Sequence, residues 1–153
     1  MTGTQRNVAR AQTRLDKIGA PLGGWTAEAR AAALVRLQSQ GLPGRRDEYW
    51  RYTRPDSLIT ADAPTAVPEQ HGEAGVFDDL DALKIVFIDG VFDAQASDDL
   101  NLEGITIERL EATETLDIHW AKPIYGSLET AGQTPVARPL ASLNTAQASD
   151  GVL

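Results

Sequence analysis

The sequence predicts an α+β fold, in which helices come first and short β elements follow. Apolar residues near the N-terminus recur at helical spacing, as Val8, Ala11 and Leu15 do. Later, a run of β-forming residues at 84–88 is followed by Asp89 and Gly90, a strong hairpin turn signal. Turn residues then recur about every ten residues. This spacing is typical of short β segments rather than of a parallel α/β sheet.

Two helices are predicted before residue 59. The first carries the apolar residues named above and a basic stripe on another face, and it ends in a Gly/Pro-rich stretch at 19–24. A basic stripe can lie on lipid or phosphate, but it is more often a solvated face. The second helix has Thr26 as its N-cap and Gly41 at its end. Its Ala-rich body, with Val35 and Leu37, favours close packing against another helix.

Beyond these helices the sequence loses and then regains regular structure. A stretch rich in Ala, Pro, Glu and Gly has no period and is predicted to be a linker. After the hairpin we expect a short strand at 105–107 and a short helix that begins at Pro139. Residues 150–153 read as a turn and the first residues of a strand, so we expect the chain to be a piece of a longer protein. The predicted regions are a helical region at 1–59, a linker at 60–76 and a β-rich region at 77–153.

The composition is that of an ordinary single domain. The 153 residues are 42% hydrophobic and 24% charged. No apolar run reaches the ~18 residues of a membrane helix, and the N-terminus has no signal-peptide core. We therefore expect a cytoplasmic protein without membrane contact. Cysteine is absent, which excludes disulfides and any metal or iron–sulfur site held by thiolates of this chain.

The net charge of −8 hides a split along the chain. Residues 1–55 carry ten Lys and Arg against four Asp and Glu, whereas residues 56–153 carry four against eighteen. A basic head can indicate contact with nucleic acid or membrane. Oppositely charged surfaces that face different partners, or each other, are the more common arrangement.

Nothing in the sequence specifies catalysis. Residues 125–129 lack the second glycine of a nucleophile elbow, and no glycine-rich loop is spaced to hold a phosphate. An acidic cluster at 78–81 lacks the spacing of a calcium loop and reads as a solvated face. His71 and His119 are far apart; a small hydrolase around His119 is a weaker alternative, since no partner for a general base can be located. We therefore predict a non-enzyme with no catalytic, cofactor-binding or metal-binding residues.

The most distinctive segment is 45–53, which interleaves arginines, carboxylates and aromatic residues. Arginine here can stack on Trp50 or Tyr52 and pair with Glu48. We favour Trp50 as a buried anchor over base stacking, because the acidic remainder of the chain would repel phosphates. The alternative function is a small nucleic-acid-binding module. It would use Arg45, Arg46, Trp50, Arg51 and Tyr52.

Three motifs, in order along the chain, resemble the SufB/SufD family of iron–sulfur cluster assembly scaffold subunits. The first has the form R-x-x-E-x-W-(K/R)-Y-T after a Leu-Pro pair. The second is the hairpin segment at 85–92, and the third is the run from Pro139 to Ala146 followed by Asp150-Gly151. We interpret the matched residues as structural. They include Arg45, Glu48, Trp50, Arg51, Tyr52, Thr53, Leu143 and Asn144.

The resemblance is to the SufD branch, and it implies a fold of N-terminal helices, a right-handed parallel β-helix and C-terminal helices. This chain would supply the first part and the start of the β-helix at 151–153. The resemblance also implies that the protein acts with SufB and the ATPase SufC, mostly through regions beyond Leu153. The chain itself would then have a structural or binding role and no cofactor, while the complex handles the cluster and SufC uses ATP.

Overall fold

The computed structural model describes residues 3–18, 23–44, 47–60, 77, 80–88, 90–129, 131 and 136–153. Helices and a small antiparallel sheet are both present, so the predicted α+β class is confirmed. Single turns of 3₁₀ helix lie at Gly24–Thr26, Glu48–Trp50 and Ser127–Glu129. The longer elements are α1 (Gly3–Ile18), α2 (Ala27–Gln40), β1 (Phe87–Ile88), β2 (Val91–Phe92), α3 (Leu110–Thr113) and α4 (Pro139–Gln147).

The chain divides into two compact units. The first unit contains residues 1–63 and 113–149, and the second contains residues 64–112 and 150–153. The predicted linker at 60–76 falls, apart from its first residue, outside the described residues. Its boundaries therefore stay a prediction.

The first unit is built on α2, which packs against both α1 and α4. Ala11 and Leu15 of α1 meet Leu37 of α2 in a core that Leu42 and Ile59 complete. This arrangement confirms both predicted N-terminal helices, the helix that begins at Pro139, and the packing of the Ala-rich helix against a neighbour. Val35, on the opposite side of α2, is exposed and takes no part in that packing.

Both ends of α2 lie where the sequence predicts them, but the predicted side-chain cap at the N-terminus does not form. Gly41 ends the helix at φ +73°, and its N–H donates to the Leu37 carbonyl at 2.8 Å. A Cβ there would lie 2.6 Å from backbone atoms of Asn7 and Val8, so glycine allows α1 and the end of α2 to meet. Thr26 is the N-cap residue, but its side chain makes no capping hydrogen bond, because it faces Arg30 instead.

In the second unit, β1 and β2 form the predicted hairpin. Phe87 pairs with Phe92 and Ile88 with Val91, and the two Phe rings lie 5.5 Å apart. Gly90 supplies the positive φ of the turn at +82°. The predicted strand at 105–107 is wrong: only an isolated bridge joins Leu102 to Ile105 around the turn.

Residues 150–153 pair with the segment before α3. Val152 forms an isolated antiparallel bridge with Arg109, and the Leu153 N–H donates to the Glu108 carbonyl at 2.9 Å. The Leu110 N–H donates to the Gly151 carbonyl, also at 2.9 Å. The pairing is antiparallel and one residue long, so the start of a parallel β-helix stays a proposal.

A guanidinium–carboxylate cluster holds this pairing. Arg109 donates from Nε to Asp150 at 3.0 Å and from Nη2 to both Asp150 and Glu111. Asp150 also accepts the backbone N–H groups of Glu111 and Gly151. Burial by itself would raise the pKa of Asp150, but the hydrogen bonds, that of Arg109 above all, outweigh burial and hold the pKa below its ordinary value.

The pairing should therefore weaken in acid. Since the folded-state pKa of Asp150 is depressed, its contribution to stability is full above the unfolded value of about 3.9 and is lost as pH falls through the folded pKa. We expect the amide protons of Leu110 and Leu153 to lose protection against hydrogen exchange below pH ~4, after correction for intrinsic rates. Asp150→Asn should show low protection already at pH 7. Equal pH dependence in the variant and the parent protein would contradict this assignment.

Candidate functional site

The first family-like motif lies on a 3₁₀ turn at the surface of the first unit. Asp47 begins the turn, and its carboxylate accepts the N–H of Tyr49 at 3.3 Å. Arg51 lies 3.8 Å from Glu48, and its guanidinium carbon is 5.5 Å from the centre of the Tyr52 ring. The arginine pairing and stacking predicted for this segment are thus both present, whereas Arg45 and Arg46 lie outside the described residues.

The segment is more exposed than the sequence indicates. Tyr52 is 91% exposed, and Glu48, Arg51 and Thr53 are exposed as well. Trp50 is half-buried, so its predicted role as a buried anchor stays a prediction. Exposed Tyr and Arg of this kind are residue types that protein interfaces favour.

The third motif lies on α4 and faces the core only in part. Leu143 is half-buried and packs against the core cluster of the first unit. Asn144 is exposed, and its backbone carbonyl accepts the N–H of Ala148 where the helix ends. Leu143 therefore contributes to packing, whereas the Asn144 side chain is directed to the surface.

The buried tryptophan of the first unit is Trp25. It is 2% exposed, and its indole N–H donates to the Thr113 carbonyl at 3.0 Å. Its ring stacks on His119 at 4.5 Å and meets the edge of Tyr125 at 5.5 Å. Trp25 thereby ties the start of α2 to the segment that follows α3.

His119 is part of this aromatic cluster. Its ring is buried, and Nδ1 accepts the Ala121 N–H at 3.2 Å. Tyr125 donates its hydroxyl to the Thr145 carbonyl at 2.8 Å, and burial raises the pKa of that hydroxyl. Both rings hold segments together, and this geometry gives the hydrolase alternative at His119 no support.

A buried ion pair lies next to the aromatic cluster. Arg30 of α2 and Glu114 are 2.5 Å apart, with side chains that are 2% and 5% exposed. Arg30 Nε also donates to the Thr26 hydroxyl at 2.8 Å. Its terminal nitrogens reach the carbonyls of Ala146 and Ala148 at the end of α4, where the helix dipole favours a cation.

Sequence reasoning missed this pair, although one half of it left a signal. Arg30 lies three residues before Ala33 and seven before Leu37, so helical spacing places it on the face of α2 that is buried. A cation on a buried face requires an anion nearby. Glu114, 84 positions later in the chain, carries no comparable local signal.

No candidate metal cluster and no candidate membrane-spanning helix lies among the described residues. Among them, no group of three or more His, Cys, Asp or Glu side chains could hold a metal ion. Of the predicted acidic cluster, Asp78 and Asp79 lie outside the described set, and Asp81 is exposed. Within the same described ranges, no helix is long and apolar enough to cross a membrane.

Comparison with known proteins supplies the family. The family model for the SufBD protein N-terminal region matches residues 18–153, a range that contains all three motifs. No curated protein and no solved structure matches the chain. The family description covers SufB and SufD together, so it supports the resemblance at the level of the family. Because the match spans most of the chain, the protein belongs to the SufBD N-terminal region family of the SUF iron–sulfur cluster assembly system.

Proposed function

We propose that the chain is the non-catalytic N-terminal region of a SufD-type scaffold subunit, which works in the cytoplasm with SufB and the ATPase SufC. The observation that carries this proposal is the family match over residues 18–153. The iron–sulfur cluster is the cargo of the complex, and SufC is the component that uses ATP. In a SufD-type chain this region would lead, past Val152, into the parallel β-helix.

The geometry of the first unit supports a structural and binding role. Two buried contacts join distant segments: Arg30 pairs with Glu114, and the His119 ring stacks on Trp25. The segment with Arg51 and Tyr52 lies exposed on the same unit. Such an arrangement favours a surface that is presented to a partner.

The alternative function, a nucleic-acid-binding module, has less support. The family match gives it no support, and Trp50, the largest ring that base stacking would use, is half-buried. The acidic remainder of the chain would also repel a phosphate backbone.

Coexpression tests the proposal. We expect the full-length protein, coexpressed with SufB and SufC from the same source, to elute with both in size-exclusion chromatography and to keep doing so in 500 mM salt. Titration with single-stranded oligonucleotides should give no binding at ~150 mM salt. Failure to form a complex with either partner, or salt-sensitive oligonucleotide binding that Trp50→Ala abolishes, would overturn the proposal.

A further inference from the structure

A cavity with both polar and apolar lining residues lies in the first unit, between α2, the turn at Ser127–Glu129 and the start of α4. Its volume is about 320 Å³. It is separate from the aromatic cluster and from the Arg30–Glu114 pair. Its polar lining side chains are Arg36, Gln40, Glu129, Arg138 and Ser142.

Some polar atoms of this lining have hydrogen-bond partners, and others have none. Glu129 Oε2 accepts from Arg36 Nη2 at 3.1 Å and from Ser142 Oγ at 2.7 Å. Glu129 Oε1, Arg36 Nε and Gln40 Oε1 are buried, yet none has a hydrogen-bond partner within the described ranges. The Glu129 side chain is 8% exposed. Each unpaired buried polar atom costs about 1–3 kcal/mol, so water or a polar ligand must satisfy the three atoms around this cavity.

The unpaired atoms define what such a ligand must offer. Two oxygens, one on Glu129 and one on Gln40, require hydrogen-bond donors, and the Arg36 Nε–H requires an acceptor. Arg36 and Glu129 neutralise each other, so the inner end of the guest should carry no charge. A primary carboxamide supplies one acceptor and two donors without charge.

The rim of the cavity adds a charge requirement. Arg138 is exposed and lines the cavity, and no ion pair joins it to another described residue. A carboxylate at the outer end of the guest would be complementary to its guanidinium. The volume matches the small end of ligand pockets, ~300 Å³.

We propose that this cavity binds a small carboxylate that carries a primary carboxamide. The amide lies inside, against Arg36, Gln40 and Glu129, and the carboxylate lies at Arg138. The inference goes beyond the scaffold function and does not depend on it.

Titration of the full chain with succinamate, followed by ¹H–¹⁵N NMR, tests the site. We expect saturable shifts at the amides of Gln40, Ala137 and Ser142. Succinate should bind about tenfold more weakly or worse, because its second carboxylate would face Glu129. Arg138→Ala should also weaken binding about tenfold, whereas the matched variant Arg54→Ala, an exposed arginine outside the cavity, should not.

Two results would overturn the proposal. The first is an NMR titration that gives no saturable shifts, or one that gives equal affinities for succinamate and succinate. The second is a crystal structure, from crystals grown with excess succinamate, in which the cavity beside Glu129 and Arg36 contains water and no succinamate. Neither result bears on complex formation with SufB and SufC, so the two proposals fail separately.

Discussion

Replacement of Trp25 by alanine should lower the free energy of unfolding by about 3–5 kcal/mol. The side chain is almost fully buried, and its loss would leave a cavity between α2 and the segment after α3. It would also remove the stacking on His119 and the edge contact with Tyr125, and leave the Thr113 carbonyl without its indole donor. A loss of this size is a large fraction of the stability of an ordinary domain.

Urea unfolding of matched tryptophan variants measures this effect. Trp25→Phe should fall between the parent protein and Trp25→Ala, because it keeps most of the apolar volume but loses the N–H. Trp50→Ala is the control, since Trp50 is half-buried, and we expect a loss of about 1 kcal/mol. A larger loss at Trp50 than at Trp25 would contradict the burial of the two side chains in the structure.

The elements that the sequence predicts correctly are those whose signals are local. The 3.6-residue repeat of α1 and the Asp89-Gly90 turn act within a few residues, and neither needs a distant partner to be recognised. The strand at 105–107 fails for the complementary reason. Ile105 and Ile107 have high β propensity, but within the described ranges only Leu102 pairs with Ile105, and propensity alone does not form a sheet.

The site residues show the same division. Pairing of Arg51 with Glu48 spans three residues and is predictable, whereas the exposure of Tyr52 depends on what the rest of the chain covers. Trp25 and Thr113 are 88 positions apart, and no local pattern joins them. Even the predicted N-cap at Thr26 changes its role, because Arg30 takes the hydroxyl as its own hydrogen-bond acceptor.

Replacement of Glu114 by alanine should lower the free energy of unfolding by about 3–5 kcal/mol. The change would leave the Arg30 guanidinium buried without its anion, although Thr26 and the carbonyls of Ala146 and Ala148 would still accept its N–H groups. In Arg30→Met those acceptors would lose their donor and Glu114 would be left uncompensated. We therefore expect Arg30→Met to be at least as damaging as Glu114→Ala.

A double-mutant cycle separates the pair from its surroundings. Once Arg30 is methionine, Glu114→Ala no longer leaves a buried charge without its partner. The double variant should therefore lose at least ~2 kcal/mol less free energy of unfolding than the sum of the losses in the single variants. Denaturation of the four proteins at pH 7 gives this coupling energy. The exposed pair of Glu48 and Arg51 is the matched control, and we expect a coupling below about 0.5 kcal/mol there. Additive losses at Arg30 and Glu114 would mean that the two charges do not stabilise each other, and the account of this buried pair would be wrong.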